Sequence, residues 1–374
     1  MIAELASFLM SQGEPYGFLR VLLYISVRGI GAAMTTLLIM LIFSPIIIRK
    51  LYRSGFRDQQ RDFDLHLAKS KQGTPTMGGI IVVGAVCICM IFWGDLSNHY
   101  LWLICSAFLF FAWLGFIDDR AKLRGGEADA GLSRKMKLIL QTVYGLAFGL
   151  FLFYPATTPF PINISDTIGI PFLKPAAHGG FDLHLSWLYV VFVAFVIVAV
   201  SNAVNLIDGL DGLAAGSSLP PLLVYGVLAY ILGNVKLSGY LLYPSLPEVH
   251  ELVVFVAALA GALVGFLWFN GYPAQVFMGD TGSLSLGGVM AALILLTKQE
   301  FLFIIAGGLF LYVNITHVIG DRIGLNYLGR RIFYRTPIHH AYEHLGFAET
   351  KVVLRFWIVA QVLALLALAT LKLR

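Results

Sequence analysis

The sequence predicts an all-α polytopic integral membrane protein that forms a single domain over residues 1–374. Of these residues, 58% are hydrophobic and only 13% are charged. A soluble protein has roughly 25% charged residues. The apolar residues lie in long runs, not in the alternating pattern of a membrane β-barrel. This composition excludes a soluble enzyme, a disordered or fibrous protein, and a small disulfide-linked scaffold.

Apolar runs recur along the whole chain at about the length that a helix needs to cross a bilayer, roughly 17–25 residues. We therefore expect about ten transmembrane helices. They are predicted at 22–43, 77–94, 100–117, 138–155, 186–204, 211–232, 251–269, 283–297, 301–319 and 352–370.

The basic residues orient these helices. With the first residues outside, the inner segments 44–76, 118–137, 203–210, 270–282 and 320–351 carry most of the 26 Lys and Arg residues. Cytoplasmic loops of membrane proteins have this basic excess. An even number of spans then puts both termini in the periplasm, and the net charge of +5 does not indicate nucleic acid as a partner.

Five polar clusters fall on the predicted cytoplasmic side and indicate an active-site cleft on that face. The outer loop 156–185, by contrast, is rich in Pro and Gly and has the composition of a connector. The clusters are KQGTPTMGG (71–79), GFIDDRAK (115–122), SNAVNLIDGLDGLA (201–214), FNGYPAQVFMGDTGS (269–283) and RTPIHHAYE (335–343).

Carboxylates are the most informative residues of these clusters. Asp118 and Asp119 end the third span, Asp208 and Asp211 are spaced for one face of a helical turn, and Asp280 precedes another span. Each alone has the alternative interpretation of a solvated helix end. Clustered carboxylates repel one another unless a cation lies between them, and oxygen ligands without cysteine favour Mg²⁺ or Mn²⁺ over Zn²⁺.

Other side chains of the same face suit a phosphorylated substrate. Lys71, Lys122, Arg134 and Lys137 are placed to neutralise phosphates, although basic residues are common on this side in any case. The Gly-rich segments GTPTMGG and GDTGS each open a span and expose backbone N–H groups to an anion. Together with the carboxylates, these residues predict a membrane enzyme that uses Mg²⁺ on a phosphorylated substrate, with a lipid as the second substrate.

Two further features have open interpretations. His339 and His340 are adjacent, which is too close for a helical zinc site, so we expect a phosphate contact or a structural role. Phe277 and Tyr272 flank the last carboxylate and are suited either to stacking on a base or to anchoring at the membrane interface.

Taken together and in order, TPTMGG (74–79), DD (118–119), NAVNLIDGLDGLA (202–214), PAQVFMGDTGS (273–283) and PIHH (337–340) resemble the phospho-N-acetylmuramoyl-pentapeptide transferase family. This family belongs to the polyprenyl-phosphate N-acetylhexosamine-1-phosphate transferases, and the resemblance covers nearly the whole chain. It implies transfer of phospho-MurNAc-pentapeptide from UDP-MurNAc-pentapeptide to undecaprenyl phosphate, which yields lipid I and UMP in peptidoglycan synthesis. It also implies Mg²⁺, a place in the bacterial inner (cytoplasmic) membrane, and a homodimer as one option for the oligomeric state.

The resemblance also assigns roles to individual residues. The implied catalytic residues are Asp118, Asp119, Asp280 and His339, with Asp280 as the metal ligand and the adjacent pair Asp118 and Asp119 at the lipid phosphate. Phe277 is expected to stack on uracil. The implied substrate-binding residues are Lys71, Thr76, Lys122, Lys137, Asn205, Asp208, Asp211, Asn270, Phe277 and His340.

The chain departs from the family pattern in two places. Ala341 stands where the family has a third consecutive histidine, and the segment 316–329 is unusual. This segment puts Asp321 and Arg322 at the end of the ninth span, where they are expected either to pair with each other or to contact the substrate.

Two rival functions remain to be weighed. A UDP-GlcNAc:polyprenyl-phosphate GlcNAc-1-phosphate transferase would share the carboxylates but not the combination of TPTMGG, PAQVFMGD and PIHH. A secondary transporter would have acids in the middle of its spans and inverted repeats. Neither mid-span acids nor inverted repeats are visible in this sequence.

Overall fold

The computed structural model describes residues 1–2, 11, 14–54, 73–125, 131–170, 172–174, 182–325, 327, 329–330, 332–333 and 336–373. Eight helices of this part are long and apolar enough to cross a membrane. In chain order the first helices are α1 (Ile25–Arg53), α2 (Gly79–Trp93), α3 (His99–Gly125), α4 (Arg134–Phe153), α5 (Leu188–Leu206), α6 (Leu213–Gly233) and α7 (Val235–Tyr240). They are followed by α8 (Glu251–Asn270), α9 (Gly279–Leu296), α10 (Phe303–Ala306), α11 (Gly308–His317), α12 (Ile338–His344) and α13 (Glu349–Ala369).

The predicted all-α polytopic fold is confirmed in its main features. The helix α2 is shorter than the eight long ones, and the ninth predicted span is divided into α10, α11 and a π-helix over Val318–Leu325. Among the described residues, the remaining regular structure consists of 3₁₀ segments and an antiparallel pair of two-residue strands, β1 (Thr167–Ile168) and β2 (Leu183–His184), in the segment between α4 and α5. In this pair, Thr167 lies opposite His184.

Helix α9 lies at the centre of the bundle. Every residue from Thr281 to Leu296 is buried, as expected for a helix that is apolar all round. It packs against α3 and α5, and glycines allow the closest approaches: a Cβ on Gly115 of α3 would lie 2.1 Å from the carbonyl oxygen of Asp280. This packing fixes the first turn of α9, which carries Asp280, against the end of α3 that carries Asp118 and Asp119.

The opposite ends of the helices are joined by buried polar contacts. Arg28 of α1 donates two hydrogen bonds to the Glu251 carboxylate of α8, at 3.0 and 2.5 Å, and a further one to the Trp93 carbonyl at the end of α2. Beyond the end of α9, the Lys298 ammonium donates to the carbonyls of Ser165 and Thr167 in the segment between α4 and α5. These contacts join the helix ends opposite those that carry the polar clusters.

Candidate active site

The first turn of α9 is held by Asp119 of α3. The Asp119 carboxylate accepts hydrogen bonds from the backbone N–H of Asp280 (3.0 Å), the backbone N–H of Thr281 (2.9 Å) and the Thr281 hydroxyl (2.7 Å). These N–H groups have no partner within the helix, and a carboxylate at this end also interacts favourably with the helix dipole. The main contacts of Asp119 are therefore to the helix that carries Asp280.

Glycine is required immediately before Asp280. Gly279 has a φ of +71°, in the left-handed region that favours glycine. A Cβ there would also lie 2.8 Å from an Asp119 oxygen and 3.2 Å from the Thr76 hydroxyl. The predicted site residue Thr76 thus lies beside Asp119 and Asp280. The predicted residue Lys71 lies outside the described residues.

Asp118 and Asp280 face each other across two lysines. The Lys122 Nζ lies 2.7 Å from Asp118 Oδ2 and 3.0 Å from Asp280 Oδ2, and the Lys137 Nζ lies 2.6 and 2.8 Å from the same two oxygens. The side chain of Asp118 is fully buried. Its other oxygen accepts a hydrogen bond from the backbone N–H of Leu132, at 2.8 Å. Two carboxylates and two ammonium groups from α3, α4 and α9 thus balance one another's charge in a small space.

Asn205 and Asp208 complete this cluster. The Asn205 amide at the end of α5 donates to Asp280 Oδ1 (3.1 Å) and to the Ser283 hydroxyl (2.8 Å). Burial, together with the negative charges of Asp280 and Asp119, raises the pKa of Asp208 to about 8. The Asp208 carboxylate also accepts a hydrogen bond from the Ser283 hydroxyl, to which Asn205 donates.

The prediction that Asp208 and Asp211 share one helical face is wrong. The segment 207–212 forms turns between α5 and α6, and Gly212 has a φ of +77°. Asp211 Oδ2 accepts a hydrogen bond from the backbone N–H of Ala274 (3.0 Å), whereas the Asp208 carboxylate accepts one from the Ser283 hydroxyl. The two aspartates consequently serve different parts of the site.

Asp211 and Asn270 connect the turn at 207–212 to the segment after α8. The Asn270 side chain accepts from the Gly212 N–H (3.0 Å) and donates to the Val276 carbonyl (2.8 Å). Both side chains are buried, so they shape the loop that carries Phe277. The Phe277 side chain is only partly buried. The backbone N–H of Phe277 donates a hydrogen bond to the Pro75 carbonyl of the first cluster, at 2.8 Å.

The histidine pair of α12 lies against the same turns. A Cβ on Gly209 would lie 2.4 Å from Nε2 of His339 and 3.0 Å from Nε2 of His340. His340 Nδ1 lies 2.9 Å from a carboxylate oxygen of Glu343. His339 is fully buried, and neither of its ring nitrogens has a hydrogen-bond partner among the described residues. Burial and, to a lesser degree, electrostatic repulsion from His340 lower the pKa of His339 well below its usual range, so this ring is neutral near pH 7.

Several residues that the sequence did not single out belong to this site. Thr281 and Ser283 contact Asp119 and Asn205, and Glu349 at the start of α13 accepts a hydrogen bond from the Asp211 N–H at 2.8 Å. Thr281 and Ser283 lie within the GDTGS segment, so the motif contained the signal. Glu349 lies 138 residues from Asp211, and no local pattern marks it.

The donor set suits a hard cation. Within the described part of the chain, no group of three or more His, Cys, Asp or Glu residues has the arrangement of a metal site. Mg²⁺ needs fewer protein ligands, because it uses one or two carboxylates together with water and substrate phosphates. Asp118 and Asp280 offer two such carboxylates, and no sulfur ligand lies among their contacts.

These observations define a class: a polytopic membrane protein with a polar site of carboxylates, lysines and histidines at one end of its bundle. Residues 100–298 match the family model described as glycosyl transferase family 4. Residues 71–83 match signature 1 of the phospho-N-acetylmuramoyl-pentapeptide transferases.

Full-length relatives identify the particular family. The chain is 41% identical to the phospho-N-acetylmuramoyl-pentapeptide-transferase of Maridesulfovibrio salexigens over 368 residues, which cover 98% of this chain and 99% of the relative. It is 42% identical to the proteins of the same name from Syntrophus aciditrophicus (96% and 97% covered) and Desulfosudis oleivorans (96% of each). The chain belongs to the phospho-N-acetylmuramoyl-pentapeptide-transferase family.

Proposed function

We propose that this protein transfers phospho-MurNAc-pentapeptide from UDP-MurNAc-pentapeptide to undecaprenyl phosphate and releases UMP. The observation that carries this proposal is the convergence of Asp118, Lys122, Lys137 and Asp280, in a chain that is 41% identical to a transferase of this name. The proposal includes ten spans with both termini in the periplasm, and a cleft that faces the cytoplasm. The protein would then work in the bacterial inner membrane.

The reaction brings two phosphorylated substrates together. An oxygen of the lipid phosphate attacks the phosphorus that bears the sugar, the new P–O bond forms, and the bond from this phosphorus to the bridging oxygen breaks as UMP leaves. Mutual repulsion of the phosphates opposes this approach, and positive groups offset it. Lys122 and Lys137 are the ammonium groups that lie at the carboxylate pair.

Asp118 and Asp280 are the residues that would hold Mg²⁺. When bound, the ion would supply charge neutralisation at the diphosphate. Asn205 orients Asp280 through a hydrogen bond to its second oxygen, and Asp119 holds the backbone of Asp280 in place. Because the Asp119 carboxylate already accepts three hydrogen bonds, its geometry supports direct attack over a phosphate intermediate on this residue.

Substrate recognition is assigned to the loop that carries Phe277 and to the histidine pair of α12. Phe277 would stack on uracil, within the loop that Asp211 and Asn270 hold. His339, neutral and with no hydrogen-bond partner for its ring nitrogens among the described residues, would form a hydrogen bond to the diphosphate or sugar, next to His340.

Release of UMP by the purified protein tests this function. Reactions contain undecaprenyl phosphate and Mg²⁺, with UDP-MurNAc-pentapeptide or UDP-GlcNAc as donor in parallel. We expect UMP from the muramoyl donor alone. UMP from UDP-GlcNAc would assign the protein to the sister transferases, and no UMP from either donor in folded protein would refute both functions.

A further inference from the structure

Asp321 lies in an unusual segment of the chain. The helix α11 continues at Val318 into a π-helix that runs to Leu325. Such π-helical turns are rare and are frequently found at functional sites. The sequence left open whether Asp321 pairs with Arg322 or contacts the substrate. The side chain of Arg322 lies outside the described residues, but the contacts of Asp321 are defined.

Asp321 accepts a hydrogen bond from the hydroxyl of Thr336. The distance from Thr336 Oγ1 to Asp321 Oδ1 is 2.5 Å, in the range of a strong charge-assisted bond. The second carboxylate oxygen lies 3.5 Å from Nδ1 of His317, one turn earlier. Each oxygen of Asp321 therefore has a neighbour in the protein, and 44% of the side chain is exposed.

A second observation shows how closely the π-helix approaches Thr336. A Cβ on Gly320 would lie 2.3 Å from the Thr336 methyl group. Any larger residue at position 320 would push Thr336 away. Consecutive residues of the π-helix thus supply both the room for Thr336 and the acceptor for its hydroxyl group.

Thr336 stands directly before the helix that carries the histidine pair. Pro337 caps α12, which begins at Ile338, so His339 lies three residues beyond Thr336. His339 packs edge-on to Phe356 of α13, with ring centres 6.4 Å apart, and its Nε2 approaches Gly209. Ala341 is buried on the same short helix. A helix of seven residues has little stability of its own, so its position depends on such contacts.

We propose that Asp321 is a positioning residue: through Thr336 it fixes the start of α12 and thereby holds His339 and His340 against the turn at Gly209. This inference rests on the proposed function for its catalytic consequence. The contact that it describes is independent of the substrate.

Two pairs of variants test the proposal. Asp321→Ala removes the acceptor, whereas Asp321→Asn keeps an amide oxygen in its place. Thr336→Val removes the donor at nearly constant shape, whereas Thr336→Ser keeps it. The first member of each pair should displace α12. Thr336→Ser should behave as the wild type, and Asp321→Asn should fall between Asp321→Ala and the wild type, because its hydrogen bond lacks the charge.

The positional readout is modification of His339 by diethyl pyrocarbonate, followed by mass spectrometry. His339 is fully buried in the wild type and should react slowly. We expect its modification rate to rise about fivefold or more in Asp321→Ala and Thr336→Val, since one charge-assisted hydrogen bond of this kind is lost. Labelling of Cys89, an equally buried thiol in α2, should stay unchanged.

The catalytic readout is kcat/KM for the muramoyl donor, which should fall about tenfold in the same two variants, mainly through KM. In a His340→Ala background, the further loss on Asp321→Ala should be smaller than in the wild type, since both changes act on the same contacts. Unchanged His339 protection in Asp321→Ala and Thr336→Val would overturn the proposal. So would an equal rise in Cys89 labelling, which would indicate general loosening.

The two readouts separate this proposal from the proposed function. If the wild type releases no UMP while the modification rate of His339 still rises in Asp321→Ala and Thr336→Val, the positioning role stands and the transferase function is refuted. If the wild type is active and the modification rate of His339 does not change in the Asp321 and Thr336 variants, the positioning role is refuted and the transferase function stands.

Discussion

Removing the charge of Asp119 should disable the site although Asp119 need not touch a substrate. Its carboxylate accepts three hydrogen bonds from Asp280 and Thr281 at the start of α9. Asp119→Asn keeps one amide oxygen but loses the charge, and it turns an NH₂ group toward backbone N–H donors. Thr281→Val is the matched control, because it removes only the hydroxyl bond.

The magnitude follows from these bonds. A hydrogen bond to a charged group contributes about 1.5–3 kcal/mol. Asp119→Asn disturbs both backbone bonds, and we expect it to cost about 3 kcal/mol in placing Asp280, or roughly a hundredfold in kcat. Thr281→Val loses one such bond and should cost about 1.5 kcal/mol, or roughly tenfold in kcat.

The assay is UMP release at saturating donor and lipid, with thermal unfolding of each variant measured in the same detergent. Both variants should remain folded, with a lower melting temperature for Asp119→Asn. Wild-type kcat in Asp119→Asn would refute the argument that Asp119 holds Asp280. An equal loss in both variants would refute the ranking of the backbone bonds above the hydroxyl bond.

The remaining predictions concern other parts of the molecule. Lys137→Met should lower kcat by at least tenfold, because it removes one of the ammonium groups at the carboxylate pair; an unchanged kcat would exclude this role. Phe277→Leu should raise KM for the donor, and Phe277→Tyr should restore it, in the same kinetic assay; equal KM values would argue against base stacking. Glu251→Ala should destabilise the protein by about 3–5 kcal/mol, because it leaves buried Arg28 unpaired, and the activity of the protein that remains folded should not change. EDTA should abolish UMP release and Mn²⁺ should restore it, whereas activity that persists in EDTA would exclude a metal requirement.

The sequence predicted the membrane fold and most of the residues that meet at the site. Long apolar runs and the basic inner loops are strong local signals. The contact between Asp118 and Lys122 also follows from local spacing, because residues four apart share one face of a helix. The meeting of the motifs could be expected, since all five lie on one predicted face.

The division of labour within the site could not be predicted. Asp118 and Asp119 form one motif in the sequence, yet Asp118 faces two lysines while Asp119 holds α9. Consecutive helical residues point about 100° apart, so adjacent aspartates face different neighbours. Which neighbours these are depends on packing between segments 162 residues apart, as for Asp119 and Thr281. The break of the ninth span into a π-helix likewise depends on tertiary contacts, such as Gly320 against Thr336.

The proposal that matters most for the chemistry is that Asp118 and Asp280 together would hold the divalent cation of the transferase. Its most direct test is Mn²⁺ binding to the purified protein with UMP present, measured by electron paramagnetic resonance. Asp280→Asn and Asp118→Asn are compared with the wild type and with the control Asp95→Asn, which lies beside Glu251 at the opposite ends of the helices. We predict one bound Mn²⁺ that Mg²⁺ displaces, lost in both site variants and kept in the control. Equal Mn²⁺ binding in all four proteins would contradict the account.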